Sequence, residues 1–135
     1  MRMRITSQNL NEIKGLYLHD FTFSGFHYDY DQGKLKLKCE KRYLRKGMKL
    51  EFENVIGIHM QACGFWGGGN SILGIYPGDG QLLARYRETA QNNKNFDFAD
   101  LIDPENEFIE FEIEINSGGN LLVVCEELHA EEFPL

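Results

Sequence analysis

With 135 residues, 42% hydrophobic and 13% aromatic, the chain has enough apolar material for one packed domain over 1–135, which excludes global disorder. Its 14 basic and 21 acidic residues give a net charge of −7, which argues against general nucleic-acid binding. No apolar run approaches the roughly 18 residues needed to span a bilayer, and the basic start MRMRITSQNL lacks a signal peptide's apolar core; a cytoplasmic location without membrane contact is expected.

Taken in order, SQNLNEIKGL offers a weak helical spacing through Leu10 and Ile13, with Gly15 as its stop. FTFSGFHYDY carries Phe21 and Phe23 on one parity and Phe26, Tyr28 and Tyr30 on the other; Gly25 sits at the phase slip, which predicts a β-bulge. KLKLKCE and MKLEFE alternate apolar and charged residues with period two, as half-buried strands do. VIGIHMQA reads as a strand with Ile56, Ile58 and Met60 inward and His59 outward. QLLARYRE reads as a further strand, with Leu83 out of phase. FIEFEIEI sets Ile109, Phe111, Ile113 and Ile115 against an outward row of Glu110, Glu112 and Glu114, and NLLVVCEE returns as its hairpin partner.

These elements predict an all-β fold, or a mainly β one with one short helix: an antiparallel β-sandwich or partly open barrel of six to eight strands. Two long connections, Cys63–Gly80 and Thr89–Glu107, resist assignment. Cys39, Cys63 and Cys125 form no C-x-x-C pair, so reduced thiols are expected rather than a zinc site or a disulfide framework. Cys39 and Cys125 fall in phase with apolar strand residues, which places them in the core.

Charge is unevenly spread. Lys34, Lys36, Lys38, Lys41, Arg42, Arg45, Lys46 and Lys49 crowd one segment, whereas no Lys or Arg follows Asn95. Opposite charges on paired strands stabilise a sheet, so the two segments are expected to face each other.

GFWGGGNS matches the phosphate-loop spacing G-x-x-x-x-G-K-[ST] except that Asn70 replaces the lysine. The following ILGIYPG starts no helix, so the anion-binding dipole is missing and nucleotide binding is not expected. What remains is a glycine-rich connection bearing Phe65, Trp66 and Tyr76, closed by Pro77-Gly78-Asp79-Gly80. Its aromatic rings either lid the core or meet a ligand or partner.

His19-Asp20 lacks the further helical ligands of a metal phosphohydrolase, and an Asp bonding backbone amides beside a His stacked on aromatics is the expected arrangement. His27, Asp29, Asp31 and His59 include ligand types, but no spacing motif joins them, and neither metal nor cofactor is expected. Neither G-x-S-x-G, a Cys–His pair nor paired buried acids stand out, which favours a non-catalytic role.

The stretches LHDFTFSGFHYDYDQGKLKLKCE, EFENVIGIHM, FWGGGNSILGIY and INSGGNLLVVCEEL cover most of the chain in order. Through them it resembles a loose group of small, uncharacterised bacterial β-rich proteins, some of which are immunity proteins that bind and block a toxin. It departs from that group in the three glycines after Trp66. The resemblance implies a β-rich fold and a protein-binding module, an immunity-type inhibitor of a toxin. The expected contact residues are Phe65, Trp66, Tyr76, Asp79, Glu110, Glu112 and Glu114, and a basic partner would suit the −7 charge. The alternative is a small-molecule binder or enzyme with a pocket under the Gly64–Gly80 connection. Homo-oligomerisation through an edge strand stays open.

Overall fold

A computed structural model describes residues 1–60, 70–93, 107–116 and 119–135. Among them are nine strands: β1 (Arg2–Ile5), β2 (Thr22–Asp29), β3 (Lys34–Lys41), β4 (Lys46–Glu53), β5 (Gly57–Met60), β6 (Ile72–Pro77), β7 (Ile109–Ile115), β8 (Asn120–Cys125) and β9 (Glu127–Pro134). One helix, α1 (Gln81–Asn92), and 3-10 turns at Leu10–Gly15 and Arg42–Leu44 complete them. The predicted mainly β architecture holds, with one strand more than expected at the upper limit.

The strands form two antiparallel sheets, β1-β9-β4-β3-β2 and β5-β8-β7-β6. Period-two alternation decides which side chains line the space between them. Leu35, Leu37 and Cys39 of β3, Met48, Leu50 and Phe52 of β4, and Ile109, Phe111, Ile113 and Ile115 of β7 are all buried. Phe52 and Phe111 meet edge-to-face across the sheets at 5.7 Å between ring centres. Cys39 and Cys125 are buried and unbridged, as their phase predicts. One seam of the sandwich is closed where Ile72 donates to Phe21 O (2.8 Å) and Phe23 to Asn70 O (2.8 Å).

The β2 bulge falls where expected, with the register against β3 slipping between Phe23 and Gly25. The hairpin of β7 and β8 pairs Ile109 with Cys125 through Glu114 with Asn120. SQNLNEIKGL becomes the short 3-10 turn that stops at Gly15. Asn9 holds its start, accepting the Thr6 amide through Oδ1 and donating to Arg4 O through Nδ2.

The strand expected over QLLARYRE is corrected: this segment is the first eight residues of α1. Leu82, Tyr86 and Ala90, four apart, lie on one helical face; Leu82 and Ala90 are buried and Tyr86 half-buried. The Tyr86 ring lies over Gly57 of β5, where a Cβ would stand 2.1 Å from it. Burial raises the Tyr86 phenol above its ordinary pKa; Arg85 opposes this and Glu110 adds to it.

The charge-rich segments do sit side by side, because β4 pairs with β9 and Lys49 stands opposite Glu131. Their ion pairs are drawn differently from the expectation. Lys34 and Lys49 reach Glu51 and Glu53 within their own hairpin, whereas β9 is served by β1, through Arg2–Glu131 and Arg4–Glu127.

Candidate functional site

On the outer face of the second sheet, Tyr76, Glu112, Leu122 and His59 stand in one register row across β6, β7, β8 and β5. The next row holds Glu110, Val124 and Gly57, and α1 crosses above it. Between helix and sheet lies a polar cleft of about 210 Å³ lined by His59, Asp79, Gln81, Arg85, Glu112 and Asn120, with Leu122 in its floor.

Glu110 organises this region from below. The sequence places it in an outward, exposed row, but it is only 5% exposed, and that expectation is corrected. Its Oε1 accepts the amides of Leu82 (2.8 Å) and Leu83 (3.1 Å), and its Oε2 accepts that of Gly80 (3.0 Å). Its backbone carbonyl takes the Gly78 amide at 2.7 Å. A helix start leaves amides unpaired and carries partial positive charge, so a carboxylate there satisfies both. Asp79 completes the cap, its Oδ1 accepting the Gln81 amide at 2.9 Å. The glycines of PGDG follow from this contact. A Cβ on Gly78 would stand 2.3 Å from Glu110 Oε2, and Gly80 has φ +82°.

Glu112 is half-buried and accepts a hydrogen bond from Asn120 Nδ2; Glu114 is half-buried opposite Asn120 and Gly74. Phe65 and Trp66 lie outside the described residues, as does much of the pocket expected under Gly64–Gly80. Tyr76 is 44% exposed and belongs to a second concavity.

That second concavity is an apolar groove of about 380 Å³ between the 3-10 turn and β6. Leu10, Ile13, Leu73 and Ile75 line it together with Tyr17 and Tyr76, and Asn11, Lys14 and His19 are polar residues of its lining. Tyr17 is 78% exposed. In GLYLHDF the buried Leu16 and Leu18 flank it, so the alternation itself carries the signal that Tyr17 points out. Arg85 and Gln81 become visible as site residues only once the segment is known to be helical.

His19 and Asp20 are exposed and lie beside each other, His19 Nε2 3.5 Å from Asp20 Oδ1. The His19 Nδ1 lies 3.2 Å from Leu73 O, and the Asp20 amide donates to Ile72 O with Asp20 at φ 67°. His27 lies on β2 and His59 on β5, in different sheets, and Asp29 joins neither in a ligand cluster among the described residues. The one group there with metal-ligand proximity is Glu53, Glu127 and His129. Its charge is already balanced: Arg4 binds both Glu127 oxygens, and Lys34 lies 3.5 Å from Glu53. Arg4 and His129 together hold the Glu127 carboxyl below the usual carboxylate range.

Fold and surface define a two-sheet antiparallel β protein with one helix latched onto an outer face, bearing an apolar groove and a polar cleft. No helix among the described residues is long and apolar enough to cross a membrane. The chain matches no protein-family model, and comparison with curated proteins returns no significant match.

Proposed function

We propose that the protein is a non-catalytic protein-binding module, an immunity-type inhibitor whose partner is a basic toxin, and that it engages this partner through the groove between the 3-10 turn and β6. The observation that carries this reading is the pair of exposed rings, Tyr17 and Tyr76, standing over an apolar groove. Tyrosines of this kind supply much contact area with little side-chain entropy to lose, and they dominate the energetics of many interfaces. Glu112 is the register neighbour of Tyr76, with Asp79 three residues further on, so acids border the aromatic anchor on one side. Together with the net charge of −7 they favour a basic partner through steering rather than through buried ion pairs. The resemblance to small bacterial β-rich proteins, some of immunity type, points the same way.

The test captures partners on immobilised wild-type protein and titrates any basic protein retained. Tyr17→Ala and Tyr76→Ala should each weaken binding by about 2 kcal/mol or more. Glu112→Lys should slow association and reduce its salt dependence. A partner bound equally well by both tyrosine variants would remove the groove from the interface.

A second reading is favoured by one specific observation: His59, Arg85, Glu112 and Asn120 converge on the polar cleft beneath α1, as in a site for a small polar ligand. A thermal-shift screen of metabolites in which His59→Ala and Arg85→Ala leave every shift unchanged would dismiss it.

A further inference from the structure

An edge of the second sheet runs along the apolar groove. β6 ends the strand order β5-β8-β7-β6, so one of its sides has no strand of that sheet beside it. The phase of its ladder is fixed at one point, where the Gly78 amide donates to Glu110 O of β7 at 2.7 Å. Hydrogen-bonded and non-hydrogen-bonded pairs alternate along an antiparallel ladder. Counting back from Gly78 through Pro77 opposite Phe111, Tyr76 opposite Glu112 and Ile75 opposite Ile113, the N–H and C=O of Ile75 point away from β7, as does the C=O of Pro77. The Ile75 side chain, like that of Ile113, is buried in the core, so its main chain is what it offers to the edge.

The chain itself covers this edge only as far as Leu73. Phe23 donates to Asn70 O, Ile72 to Phe21 O and Asp20 to Ile72 O. The turn over 18–21, with Asp20 at φ 67°, diverts the chain there, and His19 Nδ1 beside Leu73 O is the last contact of the row. Beyond it, the outward groups of Ile75 and Pro77 have no hydrogen-bond partner among the described residues. A main-chain donor and acceptor in an apolar concavity call for a partner. The groove gives this stretch the shape of a slot, with Leu10 and Ile13 of the 3-10 turn in its lining. The Tyr76 ring folds back along β6 over Gly74, where a Cβ would collide with it. Lys14 is the one Lys, Arg, Asp or Glu among the described lining residues, which suits an apolar occupant better than a charged one.

We infer that this slot takes an extended, mainly apolar segment of the partner protein, which joins β6 as an added antiparallel strand in line with residues 20–23. The segment accepts from the Ile75 N–H and donates to the Ile75 C=O, and its alternate side chains pack on Leu10 and Ile13. The inference rests on the reading of this groove as the partner interface and adds the way the groove is used. A second copy of the chain fits less well. The open stretch over 75–77 is two steps of about 3.4 Å, and Pro77 has no N–H to give on either copy. A symmetric pairing that short buries far less than the roughly 800 Å² per partner of a stable dimer.

The test selects binders from a random peptide library displayed on phage, with the full chain as bait. Enriched sequences should carry apolar residues at alternate positions, and the best of them, as a synthetic peptide, should bind saturably. Binding should slow hydrogen exchange of the Ile75 amide at least about tenfold and leave that of Leu82 unchanged. N-methylation of successive peptide residues supplies the signature of an added strand. Methyl groups at one parity should abolish binding and those at the other should spare it, because only alternate amides face β6. Binding that is weakened by Tyr17→Ala but shows no parity effect would overturn the added strand and keep the groove as the interface. Binding untouched by both Tyr17→Ala and Tyr76→Ala would overturn the two together. Three further results count against the inference: no enriched peptide that binds saturably; unchanged exchange at Ile75; or a dimer in sedimentation that the peptide dissociates, which assigns the edge to a second copy.

Discussion

Glu110 of β7 and Leu82 in the first turn of α1 are 28 residues apart in sequence, yet Glu110 Oε1 accepts the Leu82 amide at 2.8 Å. With the Leu83 and Gly80 amides on the same carboxylate, one side chain caps a helix from the strand beneath it. The cap works without any residue inside the helix, because the acceptor comes from another element.

Glu110→Ala therefore leaves three amides without their acceptor and should cost about 3 kcal/mol in urea unfolding. Glu110→Gln keeps the shape but turns an amide group toward donors, and should fall between wild type and the alanine variant. Exchange of the Leu82 and Leu83 amides should speed up in both. Gly78→Ala, which places a methyl against the carboxylate, should mimic part of this loss. Unchanged amide exchange in Glu110→Ala would show that the helix start is held by something else.

Tyr86 and Gly57 form the other attachment of α1. Tyr86→Ala and Gly57→Val each separate helix from strand, so their effects should not add. The double variant is expected to lose clearly less stability than the sum of the singles, with a coupling of about 1 kcal/mol in a double-mutant cycle. Simple additivity would mean that the ring and the glycine act independently.

Burial pushes the Cys39 thiol up to about 12, and burial raises Cys125 as well, against a smaller opposing effect of the Glu127 backbone. Neither supplies thiolate near neutral pH. In a Cys63→Ser background, a thiol reagent at about pH 8 should leave the native protein unmodified and label two thiols once urea unfolds it. Rapid labelling of the native variant would contradict the packing described for β3 and β8.

The Glu127 carboxyl is held below the usual carboxylate range, first by its hydrogen bond from Arg4, then by His129. In the unfolded chain it returns to about 4.3, so the unfolded state binds more protons in the interval between the two values. Stability from this group is thus present above the unfolded value and is lost as pH falls through the folded one. Melting temperatures of wild type and Arg4→Gln should differ near pH 6 and converge toward pH 3. A gap that stays constant over that range would mean that the pair stabilises through packing alone.

The strands of the core hairpins were legible because alternation is a local property. In KLKLKCE and FIEFEIEI each residue's parity decides its face, and the partner strand only confirms it. The Gly25 bulge was readable for the same reason, as a change of parity within one segment. The helix was not read from QLLARYRE because its apolar face is thin, just Leu82, Tyr86 and Ala90, and its N-terminal cap lies in another strand. β1 and β9 escaped because RMRI and ELHAEEFP carry few apolar residues, and they form a strand pair mainly by joining each other and β4.

By itself the sequence determined a mainly β chain with an alternating apolar core, buried Cys39 and Cys125, and a lopsided distribution of charge, since each follows from neighbours along the chain. Only the tertiary structure decided which glutamate is a buried helix cap and which stays half open, that Tyr17 and Tyr76 line one groove, and which lysines face one another. Those relations depend on register and on contacts between distant segments, and a carboxylate reads the same in a sequence whether water or three backbone amides surround it.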